Sequence, residues 1–177
     1  MMKLPNPRLS RRMKCFIDNA LKNEPLWDIC CDHGYVGIKA LETSQFTEVH
    51  FVDQIPHIMD RLETLIKEYW RIKPEHNYSL HAMSGEDIEI DIYGTMLIAG
   101  VGGLTIKTII SSLLKKDKLH ARRLLLSPHT DEKTLIQLLD EVEFKNLYHL
   151  TDKILLPEGK RIKPLYIVDL KIAAASI

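Results

Sequence analysis

Four short groups hold most of the residues able to do chemistry: Asp28-Ile29-Cys30-Cys31-Asp32-His33-Gly34-Tyr35, Asp53-Gln54, Ser84-Gly85-Glu86-Asp87 and Ala99-Gly100-Val101-Gly102-Gly103. Three of the four carry acids. A carboxylate offers two oxygens with about four lone-pair sites, so Asp53 can accept hydrogen bonds from both hydroxyls of a ribose. It can equally cap a helix beginning near Pro56, and the two roles are compatible. The glycines at 100, 102 and 103 allow either a tight strand-to-helix turn or a pocket wall that a flat ring must approach closely.

No phosphate cradle is present, because neither GxGxxG nor GxxxxGK[ST] occurs. Asp28 and Asp32 would repel a pyrophosphate but suit a sulfonium and an ammonium group, so S-adenosylmethionine fits these residues better than NAD. Cys30-Cys31-Asp32-His33 matches no zinc spacing, and we expect no metal. Adjacent cysteines at a strand end read as small buried side chains. No GxSxG elbow supports serine catalysis. His129, after Ser127-Pro128, fits either a loop or a pocket wall.

The elements that must hold these groups follow from hydrophobic period. Leu9, Met13, Phe16, Ile17, Ala20 and Leu21 predict an amphipathic helix over 8–22. Short apolar runs at 26–30, 48–53, 78–83, 93–99 and 121–127 read as strands. Helical patterns follow from Val36, around 58–69, over 104–114 and around 135–142. Five strand-helix alternations with apolar strands imply a mostly parallel sheet with helices on both faces. The tail departs from that rhythm: runs at 144–150 and 164–172, joined through Pro157-Glu158-Gly159-Lys160, predict an antiparallel hairpin. The expected fold class is α/β, a Rossmann-like sheet closing on a C-terminal antiparallel hairpin. Ligands of such sheets bind beyond the carboxyl ends of the strands, which is where the four groups fall.

Composition sets the outer bounds. With 177 residues, 45% hydrophobic and 27% charged, a single domain over 1–177 is the economical reading. Lys+Arg and Asp+Glu both number 24, which excludes nucleic-acid binding through global positive charge. A local patch remains open, since Lys3, Arg8, Arg11, Arg12 and Lys14 all precede the first acid, Asp18. This basic helix within 1–24 is either a phosphate-contacting surface or a solvated face. The stretch Met96 to Leu104 is about half of a membrane span, and the start has no apolar signal core. Three cysteines make no disulfide framework, so we expect a cytoplasmic protein with no membrane partner.

Three segments resemble one family. Leu9-Ser10-Arg11-Arg12-Met13, the Asp28 to Tyr35 group and Ile98-Ala99-Gly100-Val101-Gly102-Gly103 look like the TrmK-type bacterial tRNA methyltransferases, which modify N1 of adenine 22. Leu124-Leu-Leu-Ser-Pro128-His129 and the run Arg161 to Val168 are similar to later family motifs, so the resemblance spans about Leu9 to Leu170. It implies a class I methyltransferase fold, S-adenosylmethionine as donor and tRNA as partner. Asp28, Cys30, Asp32, His33, Gly34, Asp53, Gln54, Gly85, Glu86, Ala99, Gly100 and Val101 would hold the donor. Asp32, Tyr35 and Gly100 would serve transfer, with Tyr35 stacking on a flipped-out base. Arg8, Arg11, Arg12 and Lys14 would contact tRNA phosphates.

This sequence departs from the family motifs at Cys30 (glycine there), Ala99 (cysteine), Val101 (methionine) and His129 (asparagine). The family's helical extension does not follow the hairpin, which leads us to expect a weak hold on tRNA. Two other readings stay open: a methyltransferase for small molecules, and a domain that binds donor or tRNA without transfer.

Overall fold

The computed structural model describes residues 10–70 and 77–171. The five apolar runs form β1 (Leu26–Ile29), β2 (Val49–Asp53), β3 (Tyr78–Ala82), β4 (Thr95–Ala99) and β5 (Arg123–Ser127). All four pairings among them are parallel. With β6 (Tyr148–Glu158) and β7 (Arg161–Leu170) the described residues form one sheet of seven strands in the order β3-β2-β1-β4-β5-β7-β6. β7 runs antiparallel to both neighbours, so one hairpin closes an otherwise parallel sheet.

Among the described residues six α-helices flank the sheet: α1 (Arg11–Asn19), α2 (Tyr35–Thr43), α3 (Pro56–Trp70), α4 (Gly103–Lys115), α5 (Glu132–Asp140) and α6 (Val142–Leu147). Side chains alternate along each strand, so the sheet feeds two cores. One face packs Ile29, Val52 and Ile98 against Ile106, Ile110 and Leu135 of α4 and α5. The other packs Leu26, Phe51 and Leu97 against Phe16 and Ile17 of α1, Ala40 of α2 and Leu62 of α3.

Three details differ from the sequence reading. The first helix is shorter than 8–22: Ser10 caps it, its Oγ accepting the Met13 N–H at 3.2 Å, and the backbone turns extended at Ala20. Leu9 and Arg8 lie outside the described residues. The strand-helix alternation is completed four times, because only a 3-10 turn at Gly85–Asp87 follows β3. Lastly, Phe144 to Leu147 is helical; Phe144 is buried in α6 and its ring stacks on Tyr148 at 5.3 Å. The strand starts at Tyr148 and runs on through Asp152-Lys153 to Glu158, a mixed sequence suited to an edge strand.

The turn from β4 into α4 leaves no room for a side chain at Gly103. A Cβ there would lie 1.9 Å from the Asp131 carbonyl oxygen, a backbone atom that cannot rotate away. The Gly103 N–H donates to the Thr130 carbonyl at 2.9 Å, which ties the β4 and β5 strand ends together. We expect Gly103→Ala to cost about 1–3 kcal/mol, the usual range for overpacking. Thermal unfolding should then move down by roughly 3–10 °C, whereas an unchanged midpoint would show that the two loops part freely.

Candidate functional site

A cleft of about 680 Å³ opens over the carboxyl ends of the parallel strands. That volume suits a molecule of nucleoside-cofactor size. Its floor is the loop after β1, which takes an uncommon path: Cys30, Asp32 and Gly34 all have left-handed backbone, with φ of 58°, 50° and 66°. A non-glycine residue held there costs roughly 1–2 kcal/mol, which explains why a glycine is the easier choice at position 30. At Gly34 the space is also short, since a Cβ would meet Leu62 Cδ1 at 2.7 Å. Gly34 thus shapes the loop from beneath and is not among the cleft-lining residues.

Asp53 organises that loop. Its Oδ2 accepts the Asp32 N–H at 3.0 Å, and its Oδ1 accepts the Ile55 N–H at 3.0 Å just before α3 begins. Each oxygen keeps a further lone pair for a ligand. Organising the loop therefore leaves this carboxylate able to accept from a ligand as well. Gln54 sits beside it, exposed on the cleft wall.

Asp28 lies deeper. It is 5% exposed, and its Oδ2 accepts the Gly37 N–H of α2 at 3.1 Å. Burial pushes its carboxyl up to about 7; the Gly37 bond opposes this and the charge of Asp53 adds to it. The Cys30 thiol is pushed up to about 12, mainly by burial, with Asp53, Asp28 and Glu86 adding repulsion. Cys31 is raised further still for the same chief reason. Both stay neutral thiols near pH 7, poor as nucleophiles and as metal ligands. Among the described residues no group of three or more His, Cys, Asp or Glu is placed to hold a metal ion.

The other predicted residues fall around the same opening. Asp32 and His33 are exposed on its rim, 3.8 Å apart at Oδ1 and Nδ1. Tyr35, the first residue of α2, is half-buried in the wall with its ring 5.6 Å from that of His33. Gly85 and Glu86 enter from the 3-10 turn after β3. A Cβ on Gly85 would come within 2.9 Å of Ile29 Cγ2, so this turn must pass close over β1. Ala99, Gly100 and Val101 line the far side. Gly100 has φ of 82°, and nothing lies within 4 Å of where its Cβ would be. The glycine-rich turn is thus tight at Gly103 and open to the cleft at Gly100.

The basic helix divides. Arg11 and Lys14 are exposed and lie outside the cleft. Arg12, expected as a phosphate contact, is only 8% exposed and lines the cleft. Its Nη1 donates to Glu158 Oε1 and Oε2 at 3.2 and 3.3 Å, and its Nη2 to Ser127 O and Oγ at 3.2 and 3.1 Å. A guanidinium so committed and desolvated is not a free surface cation, which corrects that expectation. Arg8 lies outside the described residues. Glu158 was missed from sequence, because no local pattern links a hairpin acid to a helix 146 residues earlier. His129 resolves as an exposed loop residue whose N–H donates to the Val101 carbonyl at 2.7 Å.

Known proteins agree with this architecture. A family model described as a methyltransferase domain matches residues 9–164. No curated protein matches the sequence significantly. Among solved structures, the B. subtilis M1A22 tRNA methyltransferase TrmK superposes with a TM-score of 0.77 at 20% identity, over 92% of this chain and 66% of that one. M. capricolum TrmK, solved with S-adenosyl-homocysteine, gives 0.70 at 15% identity, over 92% and 69%. The Pyrococcus abyssi tRNA (uracil-54, C5)-methyltransferase, also with S-adenosyl-L-homocysteine, gives 0.63 at 9% identity, over 89% and 37%. These likenesses establish the fold. They do not choose the acceptor, since the last of these proteins is named for a different base.

Proposed function

Since this chain belongs to the methyltransferase-domain family, we propose that it transfers a methyl group from S-adenosylmethionine to N1 of an adenine in tRNA. The observation that carries the reading is the strand-end cleft, in which a backbone-organised carboxylate, Asp53, faces a wall open at Gly100. Adenine as the acceptor is suggested by the name of the B. subtilis protein, an M1A22 tRNA methyltransferase, and is the part of the reading that experiment must decide.

The residues present fit the donor. Asp53 has lone pairs left for two ribose hydroxyls; Glu86, on the turn after β3, closes the nucleoside end. Asp28 and Asp32 suit the ammonium and sulfonium charges. Cys30 adopts a left-handed backbone, φ 58°, a conformation that glycine also takes readily. When bound, the donor supplies an electrophilic methyl, and positive charge passes to the adenine ring.

Adenine N1 is unprotonated near neutral pH, so the protein need not supply a strong base. Its work is alignment and exclusion of water. Tyr35 offers a stacking surface that offsets part of the few kcal/mol of extruding a base. Asp32 and the carbonyls of Ala99 and Gly100 offer negative potential where the ring becomes cationic.

Asp28 gives the reading a pH signature. With its carboxyl near 7, binding of a cation beside it favours the ionised form and releases a proton. Donor affinity should therefore rise from about pH 6 to about pH 8 and level off above, with Asp28→Asn abolishing the slope. Calorimetry in buffers of different ionisation enthalpy measures that proton; a flat profile would remove Asp28 from the donor site. The reading as a whole is tested by incubating the protein with methyl-labelled donor and unmodified bacterial tRNA. Label should appear in the nucleic acid. Label confined to small molecules, or none despite donor binding, would overturn it.

A further inference from the structure

Four exposed cations stand close along the chain to two residues of the cleft lining, Arg12 and Glu158, and have no acidic partner among the described residues. Arg11 and Lys14 stand exposed on α1; Lys160 and Arg161 stand exposed at the turn between β6 and β7. Asp18, one helical turn beyond Lys14, makes no ion pair with it. Most other surface lysines with a described environment are paired, as Lys107 with Glu141 and Lys118 with Asp91.

The two basic pairs are far apart in sequence and are brought together by one partly buried contact. Glu158 sits across the hairpin from Arg161 in the strand register, and it receives Nη1 of Arg12, the neighbour of Arg11. Arg12 also holds Ser127, whose Oγ donates to the Pro164 carbonyl of β7 at 2.6 Å. Arg12 is thus a latch that fixes the hairpin turn against the start of α1.

The charge on this side of the molecule is segregated. The cleft itself is lined by Asp28, Asp32, Asp53 and Glu86, which repel a phosphodiester. The cations stand outside it. A nucleic-acid strand laid here would be pushed from the cleft at its phosphates and held at the rim, leaving only a base free to enter. We propose that Arg11, Lys14, Lys160 and Arg161 form one phosphate-binding rim for the RNA backbone, assembled by the Arg12–Glu158 latch. The proposal rests on the tRNA reading above and adds the hairpin turn as the second half of the grip.

The test is the affinity of the full chain for a tRNA transcript, with Lys160→Glu/Arg161→Glu as the first variant and Arg11→Glu/Lys14→Glu as the second. Each should weaken tRNA binding by about tenfold or more near 0.1 M salt and lower the slope of log affinity against log salt by about two, one for each phosphate no longer neutralised. Donor affinity and thermal midpoint should stay as in the unmodified protein, since all four side chains lie outside the cleft. Glu158→Gln, which leaves all four cations in place, should cost tRNA affinity by loosening their spacing. If the unmodified protein binds tRNA and Lys160→Glu/Arg161→Glu binds it equally well, the rim is overturned and the methyl-transfer reading stands. If the unmodified protein binds donor but no tRNA, or prefers vesicles of anionic lipid, the tRNA reading falls and the rim with it.

Discussion

Asp53→Ala is expected to lower donor affinity by about a hundredfold or more, because two hydrogen bonds to a carboxylate contribute about 1.5–3 kcal/mol each and about 1.4 kcal/mol is a factor of ten. The loss has two sources that a second variant separates. Asp53 accepts the Asp32 N–H with one oxygen and the Ile55 N–H with the other. Alanine removes both backbone contacts together with the acceptors for ribose. Asparagine can serve only one of the two N–H groups, whichever way its amide is turned, and presents a donor to the other. Asp53→Asn should therefore lie between the unmodified protein and Asp53→Ala in donor affinity. Isothermal titration measures it. Unchanged affinity in Asp53→Ala beside a lowered thermal midpoint would reduce Asp53 to a loop-organising residue.

Gly100→Ala addresses the opposite wall. The backbone φ of 82° is awkward for alanine, at roughly 1–2 kcal/mol, yet no atom lies within 4 Å of the new methyl, so the fold should persist. What the methyl occupies is the open space in front of the β4 end. A displacement of an acceptor by about 1 Å can cost a hundredfold in rate when alignment supplies the catalysis. We expect turnover on tRNA to fall by about that factor while donor affinity changes by no more than a few fold. Single-turnover transfer measures the first and calorimetry the second. Turnover equal to that of the unmodified protein would confine Gly100 to the turn.

Much of this arrangement is legible in the sequence because the controlling signals are local. Short runs of four or five residues mark β1 to β5, and the first four are each followed directly by residues that line the cleft. The acid that ends β2 and the glycines after β4 need only their place at a strand's carboxyl end to be singled out. What escapes local reading depends on the whole topology. Arg12 sits among basic residues at helical spacing and reads as a solvated cation; only the hairpin returning beside β5 brings Glu158 and Ser127 to it. The charged middle of β6 hides a strand, because an edge strand may leave one face to water and so loses the apolar alternation that would announce it. The 3-10 turn after β3 has the same origin. Gly85 passes so close to Ile29 and Ile109 that a Cβ there would meet both at about 3 Å, a contact set by the fold and not by the neighbouring sequence.

The balance of 24 positive and 24 negative charges is an average over two surfaces with different tasks. Acids collect in the cleft, where a cationic donor and a ring gaining positive charge are favoured. Unpaired bases stand at its rim, where phosphates would lie. Such a division keeps net charge near zero while allowing a nucleic-acid substrate, at the expense of a strong long-range attraction.

Digestion of tRNA to nucleosides after incubation with methyl-labelled S-adenosylmethionine, followed by chromatography with mass detection, tests the central claim most directly. The account predicts that the label co-elutes with 1-methyladenosine and that Asp53→Ala abolishes it. Label in any other nucleoside, or tRNA left unlabelled by a protein that binds the donor, would contradict it.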